Sequence, residues 1–109
     1  MTYFHDPETR SFKDTAPGIH LRSFWGEKLT MAVVNLDANA VLPAHSHPHE
    51  QGSYVLEGEL EFTIDGLAIL AKAGEIVIIP GNAVHGAIVG PAPAKVLDVF
   101  SPVREDFKY

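Results

Sequence analysis

The chain has 109 residues, a net charge of −6, 46% hydrophobic residues and no cysteine. That length holds one domain with a modest core, and a chain without cysteine has no disulfide framework. The negative balance argues against nucleic acid and against an anionic membrane surface, which both require a basic footprint.

The first 17 residues are polar and run into Ala16-Pro17-Gly18. They predict an N-terminal arm over 1–17, packed on a neighbour or on the domain edge, with a single domain over 18–109. Met1-Thr2-Tyr3-Phe4-His5-Asp6 has neither the basic region nor the apolar core of a signal peptide, and no apolar run reaches transmembrane length. The expected compartment is the cytoplasm. From Ile19 onward the pattern is strands. Leu29 to Leu36 is rich in β-formers, and Val41-Leu42 leads into Pro43. Phe24, Trp25 and Met31 are expected to be packing residues, and Arg22 is a lesser functional candidate or only a solvated strand face.

Turn signals then keep a regular beat: Gly58, Gly66, Gly74, Asn82 and Gly90 are each eight residues apart. The runs between them, Glu59–Asp65, Leu67–Ala73, Glu75–Gly81 and Ala83–Val89, are each of strand length. Asp65-Gly66 is a hairpin signal, because both residues tolerate the positive φ of a type I′ turn. The last strand, Lys95 to Phe100, is stopped by Ser101-Pro102, and one helical turn is expected after it. Short strands at this spacing predict an all-β sandwich or barrel. The segments share nothing beyond their turns, so the beat reads as one β-roll and not as a repeat.

The stretch His45-Ser46-His47-Pro48-His49-Glu50-Gln51 holds three of the six histidines, a carboxylate and an amide. Imidazoles at this spacing on a β-rich chain suggest a transition-metal site. Residues two apart on a strand face one side, so His45 and His47 can reach one ion together. Pro48 invites a bend. The strand resumes near Gln51, where Gln51, Ser53 and Val55 share a face. His85, delivered by the Pro80-Gly81-Asn82 turn, would come from a distant strand.

These residues resemble the two motifs of the cupin family. The first, a His-x-His pair followed by Glu or Gln and then Gly, reads His45-x-His47, Gln51, Gly58. The second reads Gly74, Pro80, Asn82, His85. Asn82 stands where the motif has Gly, and Asn also accepts a left-handed turn. Val89 stands where an Asn is usual. The resemblance implies a double-stranded β-helix, the cupin jelly-roll barrel. It also implies one divalent transition metal (Zn, Ni, Mn, Fe or Co) on His45, His47, Gln51 and His85. Glu50 competes with Gln51 but has the opposite strand parity and should point away. His49, in the bend, is expected at the rim. Three neutral imidazoles and a neutral amide leave the ion's charge uncompensated, which suits a small carboxylate-bearing substrate or a developing enolate or alkoxide.

Asp98 and Phe100 share a face of the last strand. An inward Asp98 near a metal could act as general acid/base, and Arg104 could hold a substrate carboxylate bidentately. The plainer alternatives are an Asp98–Arg104 ion pair and Phe100 as ordinary core. Tyr54, of opposite parity to Gln51, is expected in core or dimer contact.

The segments Pro48-His49-Glu50-Gln51, Ile79-Pro80-Gly81-Asn82 with His85-Gly86, and Leu97 to Phe107 are similar to the small cupins of pectin and alginate degradation, the KdgF type. That resemblance implies conversion of unsaturated uronates, released by polysaccharide lyases, into linear ketonised sugars. It assigns functional roles to Asp98, Phe100 and Arg104. Ser53 departs from it, since a larger polar residue is expected there. The alternatives are another metal-dependent cupin enzyme, a dioxygenase or small-molecule lyase, or a cupin that binds a ligand or metal without turnover. A homodimer is expected, with the arm exchanged across a two-fold axis.

Overall fold

The computed structural model describes residues 3–109. Ten strands form: β1 (Lys13–Ala16), β2 (Ile19–Trp25), β3 (Thr30–Leu36), β4 (Val41–His45), β5 (Glu50–Glu57), β6 (Glu59–Ile64), β7 (Leu67–Lys72), β8 (Ile76–Ile79), β9 (His85–Val89) and β10 (Ala94–Ser101). They make a six-stranded sheet, β1-β2-β3-β10-β5-β8, and a four-stranded sheet, β4-β9-β6-β7. Every pairing is antiparallel. Short 3-10 turns lie at Pro7–Thr9 and Glu105–Phe107. Among the described residues, no helix is long and apolar enough to cross a membrane.

Alternation along the strands sets what is inside. Thr30, Ala32, Val34 and Leu36 of β3 are buried, while Met31 between them is 42% exposed. The core between the sheets is built from these inward positions with Val55, Leu60, Phe62, Ile79 and Val96. Met31 and Trp25, expected to be packing residues, sit on exposed surface instead, and Tyr54 lies on the outer face of β5. Parity outweighs hydrophobicity at Met31 and Tyr54, whereas Trp25 has inward parity but is the last residue of β2.

Asp65 (φ 48°) and Gly66 (φ 83°) both take the left-handed region, as a type I′ hairpin requires. Asn82 does the same at φ 69°. Gly58 has two reasons to be glycine. Its φ is +74°, and a Cβ there would lie 2.5 Å from the Pro93 carbonyl oxygen, which is backbone and cannot swing away. Gly58→Ala is expected to lower stability by about 2–3 kcal/mol, measured by urea denaturation.

The arm packs on the edge of its own domain. Lys13–Ala16 pairs with β2 as the outer strand of the larger sheet. Arg22 is not a solvated face: its Nε donates to the Arg10 carbonyl at 2.7 Å, and its guanidinium lies 3.9 Å from the Phe12 ring centroid. His20 fastens β1 further, with Nδ1 2.7 Å from Asp14 Oδ1 and Nε2 3.3 Å from Asp37 Oδ2. Only the imidazolium donates from both nitrogens. The two carboxylates accordingly raise its pKa above the ordinary 6.5. A raised folded-state pKa adds stability that is fully present below the unfolded value and is lost as pH rises through the folded one. His20→Gln should therefore melt below wild type at about pH 5.5, with the gap closing toward about pH 8.5, measured by thermal melts across that range.

Candidate metal centre

The site forms at one end of the barrel, where both sheets and the β4–β5 bend converge. His45 ends β4 and pairs across the smaller sheet with His85, the first residue of β9. Gln51 and Ser53 lie on β5 of the other sheet, directly opposite Phe100 and Asp98 of β10. His47 sits in the bend between β4 and β5. Two close backbone approaches hold these parts in register. The Asn82 N–H donates to the His47 carbonyl at 2.7 Å, and a Cβ on Gly81 would lie 2.5 Å from the Pro48 carbonyl oxygen. Gly86 runs against Leu42, where a Cβ would meet backbone oxygen at 2.7 Å.

One candidate ligand atom from each of His45, His47 and His85 lies within 4.8 Å of the others. Each Nδ1 is turned to a backbone carbonyl: His45 to Pro43 at 2.9 Å, His47 to His49 at 3.0 Å, His85 to Ala83 at 2.9 Å. A carbonyl only accepts, so Nδ1 carries the hydrogen and Nε2 is left with its lone pair. The Nε2 of His85 is buried and has no hydrogen-bond partner. The Nε2 of His47 faces the Gln51 Oε1 at 3.1 Å.

Ser53 and Asp98 orient the Gln51 amide: Gln51 Nε2 donates to Ser53 Oγ at 3.0 Å, and Ser53 Oγ donates to Asp98 Oδ1 at 2.6 Å. Two lone pairs at 3.1 Å and an orphaned buried nitrogen are unfavourable alone and become favourable around a shared cation. The residues present fit a divalent metal. Burial holds the His47 and His85 imidazoles below the ordinary histidine pKa, with Arg104 nearby acting the same way. Both are thus neutral at neutral pH, as metal ligands must be.

Glu50 is exposed, as its strand parity predicts, and His49 is half-buried in the bend. Asp98 faces inward. Burial pushes its carboxyl up to about 6, while Ser53, Gln51 and the Arg104 charge pull it back. Asp98 makes no ion pair with Arg104. The Arg104 guanidinium pairs bidentately with Asp106 instead, Nε to Oδ1 at 3.2 Å and Nη2 to Oδ2 at 2.7 Å. It is stacked 3.8 Å from the Phe107 ring centroid and 4.8 Å from that of Phe100. Phe100 is 2% exposed and also meets the His47 ring edge-on, so it is both core and wall of the site.

A cavity of about 610 Å³ joins these groups, reaching from His45, His85 and Gln51 past Asp98 to Arg104. That is a ligand-sized space. Asp106, Phe107 and the β1 residues Lys13 and Asp14 also line it. Sequence reasoning did not assign these a place there. An aromatic Phe107 in an otherwise polar tail was the available signal for the first two.

Two antiparallel sheets rolled into one barrel, with a histidine cluster at one end between them, define a small β-barrel with a candidate metal site. The family model for the Cupin domain matches residues 32–100. The chain belongs to the cupin family. KdgF from Halomonas sp. superposes with a TM-score of 0.91 at 28% identity, over 99% of this chain and 100% of that one. An RmlC-like cupin from Shewanella frigidimarina matches with a TM-score of 0.91 at 31% identity, over 99% of this chain and 97% of that one. The cupin domain of Schizosaccharomyces pombe Cnp3, at 14% identity and a TM-score of 0.81 over 92% of this chain and 74% of that one, shares the fold. No curated protein matches.

Proposed function

We propose that this cupin converts unsaturated uronates into linear ketonised sugars. The observation that carries the reading is the pair of hydrogen bonds from the Gln51 amide through Ser53 to the buried Asp98, with the Gln51 Oε1 turned to the His47 Nε2. A carboxyl near a histidine cluster, in one cavity that Arg104 also lines, supports this reading. Similarity to KdgF from Halomonas sp. along the whole chain supports it.

His45, His47, His85 and Gln51 would hold one divalent transition metal, Zn, Ni, Mn, Fe or Co, which supplies a Lewis acid for an oxygen gaining negative charge. Arg104 fixes the substrate carboxylate, its plane already set by Asp106 and Phe107. Asp98 moves a proton during ring opening or keto–enol tautomerisation. Ser53 donates to Oδ1, which leaves Oδ2 as the oxygen that exchanges the proton. The apolar walls, Phe62 and Phe100 among them, limit water around the reacting atoms. The metal-loaded protein should consume 4,5-unsaturated galacturonate, seen as loss of its enol ether absorbance. A rate equal to buffer would remove this reading. Oxygen uptake by an iron-loaded sample would replace it with a dioxygenase.

A further inference from the structure

No residue of the N-terminal arm is needed to form the metal centre, yet β1 walls the cavity that leads to it. Lys13 stands opposite Leu21 of β2, and Ala16 opposite Ile19. Both partners are buried, and residues directly opposite on paired strands share a face, so Lys13 and Ala16 face into the barrel. They are an odd number of residues apart. The irregularity between Asp14 and Ala16 supplies the extra residue that lets both turn inward. Lys13 is accordingly half-buried. Its ammonium is held at the Arg104 end of the cavity. Lys13 Nζ donates to the Asp106 carbonyl at 2.8 Å, and Asp106 is the residue whose carboxylate pairs with Arg104. The Tyr109 ring flanks the same ammonium, 5.9 Å from centroid to Nζ. Tyr109 also fixes the arm, its hydroxyl donating to the Ser11 carbonyl at 2.7 Å. Two cations thus meet on one residue, Asp106.

The two cations differ in compensation. Arg104 and Asp106 form a pair with no net charge. Asp14, the acidic arm residue in the cavity wall, is taken by His20. Among the described residues, Lys13 pairs with no carboxylate. An ammonium has three donors, and the Asp106 carbonyl uses one of them. This end of the cavity therefore carries a positive charge in excess, with N–H groups left to donate. We propose that Lys13 binds the substrate carboxylate together with Arg104, which makes the arm part of the binding site and a determinant of uronate over neutral sugar. The inference rests on the uronate reading above. Arg104 supplies planar donors beyond the two given to Asp106, and Lys13 supplies the net charge. A carboxylate between them has a donor for each oxygen, and its ring extends along the cavity toward Asp98 and the histidines. Such a contact is made equally in the ground and transition states, so it sets KM more than kcat.

The test uses the full metal-loaded chain with D-galacturonate, a saturated uronate that has no enol ether to open, and with D-galactose, its neutral counterpart. Isothermal titration should show tighter binding of galacturonate. Lys13→Met keeps the aliphatic stem and removes the charge. It should weaken galacturonate binding on the order of ten- to a hundredfold, the range of a lost charge-assisted hydrogen bond, with metal content unchanged. Lys13→Arg should stay close to wild type. With the unsaturated uronate, Lys13→Met should raise KM more than it lowers kcat. Amine acetylation of wild type, read by mass spectrometry, needs no variant. Galacturonate should shield Lys13 and galactose should not, while Lys72, which does not line the cavity, stays reactive with both. An inward charge on an edge strand also discourages pairing with other chains, and the bond to Asp106 also ties arm to tail. Neither role predicts shielding by a ligand, so galacturonate that leaves Lys13 reactivity unchanged would overturn the proposal. So would a wild type with no preference for the uronate, or Lys13→Met with wild-type affinity. A chain that binds galacturonate through Lys13 but leaves the unsaturated uronate unconverted would remove the conversion and keep this carboxylate site.

Discussion

His85→Ala is expected to abolish high-affinity metal binding and, with it, the metal's contribution to stability. His85 is 2% exposed and presents a buried Nε2 that no other group among the described residues satisfies. At metal a thousandfold above its dissociation constant, wild type should gain about 4 kcal/mol over the metal-free protein. For a domain of this length that is a rise in Tm of about 15 °C or more. The variant should show no rise, and elemental analysis of purified protein should find it empty. His85→Leu separates ligation from packing. In metal-free protein it should be roughly neutral: it removes an orphaned nitrogen and strands the Ala83 carbonyl, each worth about 1–3 kcal/mol. A variant that still melts higher with metal would show that His85 is not a ligand.

Asp98→Asn is expected to lower kcat on the order of 10²–10⁴-fold with metal content and KM little changed. Asparagine keeps the shape of the side chain, and its Oδ1 can still accept from Ser53, so the link to Gln51 survives. What is lost is the exchangeable proton. The measurement is steady-state kinetics on the unsaturated uronate beside metal analysis of the same preparation. If Asp98 only packs, or if the protein binds without turnover, the substitution should change affinity at most. A fall in metal content parallel to the fall in kcat would assign Asp98 to organising the ligands through Gln51.

Much of this was legible in the chain because it depends on period and turn chemistry, both local properties. The eight-residue beat marked the strands from β6 to β9, since a residue that must take positive φ leaves its mark in residue type, as Asp65, Gly66 and Asn82 do. Strand parity separated Gln51 from Glu50 for the same reason. Hydrophobicity misled where it replaced parity. Met31 and Trp25 look like core by composition, but their strand position or turn leaves them at the surface. The partner of Arg104 was not legible either. Asp98 and Asp106 are both near it in sequence, and only the 3-10 turn over Glu105–Phe107 brings Asp106 onto the guanidinium.

By itself, the sequence determined the fold class, the histidines that gather at one end of the barrel, and the turns between the strands from β6 to β9. These come from spacing, alternation and turn residues, which act over a few positions. Only the tertiary structure decided how the pieces are joined. Pairing of β4 with β9 and of β5 with β10 brings His45 to His85 and Ser53 to Asp98 across many residues of chain. The cavity, the tautomers of the three histidines and the orientation of the Gln51 amide depend on those pairings. Long-range register is a property of the assembled sheets, and no local signal in the chain encodes it.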